Sequence, residues 1–112
     1  MSATLKNLRA LADPTRLRIV ALLEQDELSV NELQEVTRLG QSRISTHLGL
    51  LLESGLLQSR REGKRTFYRW RQPLDSHGRD FIGLAVRGAK ELPEHAADRV
   101  NLKRVLARRN EQ

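Results

Sequence analysis

Apolar residues recur at helical spacing along most of this chain, and the period breaks in one place. Asn7 to Asp13, "NLRALAD", predicts a short helix with Leu8 and Leu11 on one face. Asp13 followed by Pro14 is a helix start: a carboxylate that can cap free amides, then a residue whose fixed φ suits the first helical position. Leu17, Val20, Ala21 and Leu23 give the second helix its apolar side, to about Glu24. "SVNE", Ser29 to Glu32, has the form of a capping box, in which serine and glutamate satisfy each other's orphan amides. It opens a third helix with Val30, Leu33 and Val36 inward, and "RLG", Arg38 to Gly40, reads as a tight turn after it. A fourth helix carries Ile44, Leu48, Leu51 and Leu52 at i, i+4, i+7 and i+8, and stops at Gly55.

Beyond Gly55 the period drops to two. Leu57 to Arg61 and Arg65 to Trp70 flank "EGK" and predict a hairpin, with Thr66, Tyr68 and Trp70 on one face. Pro73 ends it. Helical spacing returns from about Asp75 to Leu92, with Phe81, Leu84, Ala85 and Val86 as the apolar side. Pro93 interrupts, and a strongly basic helical segment follows. Two short helices about a tight turn, then a basic hairpin, make a winged helix-turn-helix. The expected fold is mainly α with a small β-hairpin, in the order α-α-α-α-β-β-α. Residues 1–92 are expected to form this domain, and residues 93–112 a basic C-terminal helix or linker.

A chain of 112 residues holds one domain with one modest core. It has no cysteine, which removes disulfides and thiolate metal sites. Its first twenty residues carry charges every few positions, unlike a signal peptide or a membrane span, so the expected location is the cytoplasm. The net charge of +6 is unevenly placed: residues 1–56 hold six basic and seven acidic residues, residues 57–112 fourteen and seven. Such asymmetry points to a polyanion met mainly by the second half. Within that half, "SRREGKRTFYRW" (Ser59 to Trp70) combines five basic residues with three of the four aromatics. A solvated tail has no use for Phe67, Tyr68 and Trp70; a hairpin can pack them back and keep its tip exposed.

In a helix-turn-helix the second helix enters the major groove, and residues near its N-terminus meet base edges. With Ile44 and Leu48 inward, Gln41, Ser42, Arg43, Ser45 and Thr46 lie near or on the outward surface. Glutamine can pair with adenine, arginine with guanine, and hydroxyls with either. His47 adjoins Leu48, where it either contacts a phosphate or fills the boundary of the core. Arg60, Arg61, Lys64 and Arg65 sit on the wing. There they suit phosphate or minor-groove contacts, which position a protein more than they specify sequence. A basic edge also resists strand-to-strand pairing. The three histidines are scattered and no nucleophile stands in a catalytic setting, so neither an enzyme nor a cofactor is expected.

From about Leu5 to Trp70 the chain resembles the ArsR/SmtB winged-helix repressors of bacteria. The resemblance rests on "LRALADPTRLRIVALL", "SRISTHLGLLLESGLL" and "SRREGKRTFYRW", in that order. It implies a homodimer formed by the first helix and the helix after the hairpin, an inverted-repeat DNA operator, and repression released by an effector. Many members sense soft metals through Glu-Leu-Cys-Val-Cys-Asp-Leu; here "ELSVNEL" puts Ser29 and Asn31 where thiolates would stand. Others use an interface set to which Asp75, His77 and Glu91 correspond, but Gly88 occupies the place of its second histidine. A metal site is therefore not expected, and the effector is unassigned. Asp98 to Arg109 resembles the helix that leads, in some relatives, into a methyltransferase domain. The alternative reading is thus a dimerisation or protein-interaction module, such as the regulatory N-terminal domain of a larger methyltransferase.

Overall fold

A computed structural model describes residues 2–111. The chain runs α1 (Ala3–Leu11), α2 (Pro14–Leu22), β1 (Leu28–Ser29), α3 (Val30–Thr37), α4 (Gln41–Ser54), β2 (Leu57–Glu62), β3 (Arg65–Trp70), α5 (Ser76–Ala89) and α6 (His95–Asn110). The start and stop signals act where the residues place them. Asp13 accepts from the Arg16 amide, with Pro14 at the head of α2. Both bonds of the Ser29–Glu32 box form, at 2.9 and 3.3 Å. Gly55 closes α4 in the left-handed region, at φ 86°.

Several expectations need correction. The first helix begins at Ala3 rather than Asn7, because the Ser2 hydroxyl caps it through the Leu5 amide. Leu8 does not share the inward face with Leu11: it is 45% exposed, and Asn7, Ala10 and Leu11 turn inward. Leu84 is likewise 47% exposed, and α5 buries Phe81, Ile82, Ala85 and Ala89. Both helices carry enough apolar residues for two stripes, and packing selects only one. The left-handed residue of the helix-turn-helix turn is Arg38, at φ 64°, which ends α3; Gly40 is extended and caps α4. A third strand, too short to show a period, pairs Leu28 with Tyr68 and Ser29 with Phe67, giving the antiparallel order β1-β3-β2.

The core lies where α2, α3, α4 and the sheet meet. Ile19, Leu22, Leu28, Leu33, Ile44, Leu48, Leu51 and Leu57 are essentially sealed from water. Tyr68 and Trp70 pack against this cluster, and the Trp70 indole Nε1 donates to the Val20 carbonyl at 2.7 Å. β2 and β3 pair from Leu57↔Trp70 to Glu62↔Arg65, and Gly63 makes the turn at φ 63°. Helices α3 and α4 about their turn, with this hairpin beside them, form a winged helix-turn-helix. Among the described residues no helix is long and apolar enough to cross a membrane.

Helix α6 seats on α2 and α3, running antiparallel to α3. Its Leu102 and Val105 join the core. Its polar inward residues reach both ends of α3: Asn101 donates to the Val36 carbonyl at 3.0 Å, and Arg109 meets Glu32. Arg18 of α2 is buried and paired with buried Asp98 through two bonds of 2.8 and 2.9 Å. The same guanidinium donates to the Thr37 carbonyl at 3.1 Å. The hydrogen bond to Asp98 raises the Arg18 pKa further above its usual value, against the opposing effect of burial.

Breaking this pair should be far more damaging than removing it whole. Asp98→Ala leaves a guanidinium buried and uncompensated, and should lose about 3–5 kcal/mol in urea unfolding. Arg18→Met combined with Asp98→Leu should recover most of that loss. A single-variant loss below about 1 kcal/mol, the range of exposed ion pairs, would show that Arg18 reaches water.

Candidate nucleic-acid interface

Burial of Ile44, Leu48 and Leu51 fixes the rotation of α4 about its axis. That rotation leaves Gln41, Ser42, Arg43 and Thr46 exposed and Ser45 half-buried. Gln41 Nε2 donates to Ser45 Oγ one turn on, at 3.0 Å, while the Thr46 hydroxyl donates to the Ser42 carbonyl. Arg43 leans towards the start of α2, its Nη2 3.4 Å from the Thr15 hydroxyl. Gly40 has no side chain with which to cap α4, so the leading amides of this helix receive no side-chain acceptor there. The first two turns thus present amide, hydroxyl and guanidinium groups on a rigid rod.

His47 is half-buried beside α2, with its Nδ1 3.1 Å from Arg16 Nη1. A guanidinium only donates, so Nδ1 accepts and the ring proton is assigned to Nε2. Burial lowers the His47 pKa below 6.5; Asp13 opposes this, and the charges of Arg16 and Arg43 reinforce it. Arg16 also donates to the Ala10 and Arg9 carbonyls, at 2.5 and 3.4 Å. The end of α1, the start of α2 and the flank of α4 are therefore tied through one side chain. The sequence reading overlooked Arg16, because its partner on α4 lies 31 residues away.

The wing divides into two parts. Arg61, Lys64 and Arg65 surround the Gly63 turn and are exposed, Arg61 Nε donating to the Gly63 carbonyl at 3.2 Å. Arg60 lies further back and is engaged with Glu27: its Nε is 2.9 Å from each carboxylate oxygen. Its guanidinium carbon is also 4.9 Å from the centre of the Phe67 ring. The hydrogen bond from Arg60 holds the Glu27 carboxyl below its usual pKa, against the effect of burial. Of the four wing cations named from the sequence, three stand together at the tip. The fourth is committed to an internal pair.

The Asp75, His77 and Glu91 set is not drawn together within the chain. Asp75 caps the start of α5 through the Gly78 amide, at 2.7 Å, whereas Glu91 lies beyond the far end of that helix. His77 packs edge-on against Phe81 with ring centres 4.9 Å apart. Among the described residues no three His, Asp or Glu side chains form a group that could hold a metal ion. Among the exposed large apolar residues, α1 carries Leu5 and Leu8 and α5 carries Leu84.

Residues 13–59, from the cap of α2 to the middle of β2, match the family model described as "Bacterial regulatory protein, arsR family". The chain is 44% identical over 62 residues to a biofilm growth-associated repressor of Xylella fastidiosa, a match covering 55% of this chain and 54% of that protein. It thus spans about half the length of this relative. To the arsenical resistance operon repressor of Escherichia coli it is 43% identical over 84 residues, covering 74% of this chain and 72% of that protein. The solution structure of the homodimeric winged helix-turn-helix DNA-binding domain Mb0332 from Mycobacterium bovis is similar, with a TM-score of 0.66 and 31% identity. That likeness covers 83% of this chain and 84% of the other. The same helices, turn and wing, carried by a sequence this near to an operon repressor over most of both lengths, establish that the chain belongs to the arsR family of bacterial regulatory proteins.

Proposed function

We propose that the chain is a DNA-binding transcriptional repressor that acts as a homodimer on an inverted-repeat operator. The observation that carries this reading is the pairing of α4, whose polar N-terminal turns face outward, with a wing tip bearing Arg61, Lys64 and Arg65. In this reading Gln41, Ser42, Arg43, Ser45 and Thr46 meet base edges, and the wing-tip cations meet phosphate or the minor groove. Arg60 contributes mainly by shaping the wing, and His47 by seating α4 on Arg16. Two-fold symmetry would bring two α4 helices to successive major grooves. The exposed leucines of α1 and α5 supply an apolar surface for the partner protomer, and the homodimer of the M. bovis domain supports that assignment. Repression is supported by the names of the Xylella and E. coli relatives.

Fluorescence anisotropy with labelled DNA from the chain's own upstream region tests this. If about six phosphates are neutralised per dimer, log affinity should fall against log salt with a slope near −5. Arg43→Ala should cost about 1–3 kcal/mol and relax preference at one position of each half-site, whereas Arg65→Ala should weaken all sequences alike. A flat salt dependence, or equal losses for both variants on specific and random DNA, would refute the assignment.

His47 makes stability depend on pH. Well above 6.5 the ring is neutral in both the folded and unfolded chain, and it contributes nothing. As pH falls through that value the unfolded chain takes up a proton that the folded ring, its pKa lowered, still refuses. Stability should therefore decline with falling pH until the folded ring also protonates. Urea midpoints at about pH 7.5 and about pH 5.5 should show a gap that narrows in His47→Gln. An unchanged gap would remove His47 as its source.

Zn(II), Cd(II) and arsenite at micromolar levels should leave the protein on its operator. Soft ions need thiolates, and zinc needs about four good ligands. Stoichiometric release by zinc, abolished by His77→Ala, would instead make the Asp75, His77 and Glu91 set a working site assembled across the dimer.

A further inference from the structure

We propose that Arg109 of α6 is a positioning residue for the wing, holding the hairpin against α3 without itself touching DNA. The proposal rests on the reading of α4 and the wing as the DNA interface. It starts from the alternation of β3. Tyr68 and Trp70 pack on the core, so Phe67 projects from the other face of the sheet, away from the main apolar cluster. Phe67 is nonetheless only 8% exposed. Two guanidinium carbons lie over its ring, Arg60 at 4.9 Å and Arg109 at 5.9 Å. The outer face of the wing's root is covered by cations that stack on an aromatic ring, where a larger protein would place apolar residues.

The remaining donors of Arg109 explain why this cover also aligns. Its Nε donates to Glu32 Oε2 at 3.1 Å, and its Nη2 to the Glu27 carbonyl at 3.1 Å. Nη1 is 3.3 Å from Asp26. The Glu32 carboxylate is the one that accepts the Ser29 amide in the capping box of α3. Arg60, stacked on the same ring, ends on the Glu27 carboxylate. One planar guanidinium thus joins the cap of α3, the loop before β1 and the aromatic face of β3. A lysine ammonium, compact and without a stacking face, cannot make these contacts together.

The test compares Arg109→Gln, Arg109→Lys and Phe67→Leu with the parent chain. In the free protein, amide hydrogen exchange across β2 and β3 should quicken about tenfold in all three, with α2 and α4 unchanged. Affinity for specific DNA should fall about tenfold, with the log–log salt slope unchanged, because no phosphate contact is lost. Phe67→Leu keeps an apolar side chain at that position, so it decides the matter if Arg109→Gln folds poorly. Restoration of affinity by Arg109→Lys, with a slope in Arg109→Gln reduced by about 0.9, would make Arg109 a phosphate contact and overturn the proposal. Unchanged exchange in the hairpin would overturn it as well. If the parent chain binds no DNA, the interface reading fails, while exchange in the free protein still shows whether Arg109 holds the hairpin.

Discussion

Taking a guanidinium out of water costs several kcal/mol unless a counter-charge and further acceptors meet it inside. Arg18 is in that position, and the elements around it are arranged to meet the demand. Asp98 supplies the charge and the Thr37 carbonyl a further acceptor, so α6 must lie where Asp98 can reach α2. Helical spacing then fixes the rest. Asn101, three residues on, falls beneath the Val36 carbonyl, and Arg109, eleven residues on, falls beside Glu32. Both ends of α3 are held by the helix that neutralises Arg18. Since α3 leads through Arg38 directly into α4, the seating of α4 traces back to a charge that touches none of its exposed side chains.

The charge asymmetry of the sequence does not carry over directly into space. Arg60, Arg108 and Arg109 of the basic half pair with Glu27, Glu35 and Glu32 of the acidic half. A part of the excess positive charge is therefore taken up in joining the wing to the loop before β1, and α6 to α3. At the wing tip Arg61, Lys64 and Arg65 stay exposed and outside these ion pairs, as does Arg43 on α4. These pairs leave fewer outward charges than the composition alone suggests.

Local chemistry was the legible part of the sequence. The Asp13–Pro14 start, the Ser29–Glu32 box, the stop at Gly55 and the Gly63 turn each depend on neighbours within a few residues, and each stands where expected. The outward placing of Gln41, Ser42, Arg43 and Thr46 was legible too, because Ile44 and Leu48 set the phase of α4. Tertiary choices were not. Leu8 and Leu84 lie on apolar stripes that the monomer leaves uncovered, and no local signal separates them from buried ones. The docking of α6 was hidden because much of its inward face, Asp98, Asn101 and Arg109, is polar and leaves only a short apolar stretch at Leu102, Val105 and Leu106. Arg60 read as a free cation because Glu27 lies 33 residues away in the chain.

Ser29 holds two offices at once. It is a strand residue paired with Phe67 of the wing, and it is the cap whose hydroxyl begins α3. No length of chain separates the two duties, so no slack exists between them. In mechanical terms the wing and the helix-turn-helix are the arms of one lever, and Ser29 is its fulcrum. On this route from the wing to α3 no loop residue intervenes, since the ladder and the helix cap meet in one residue.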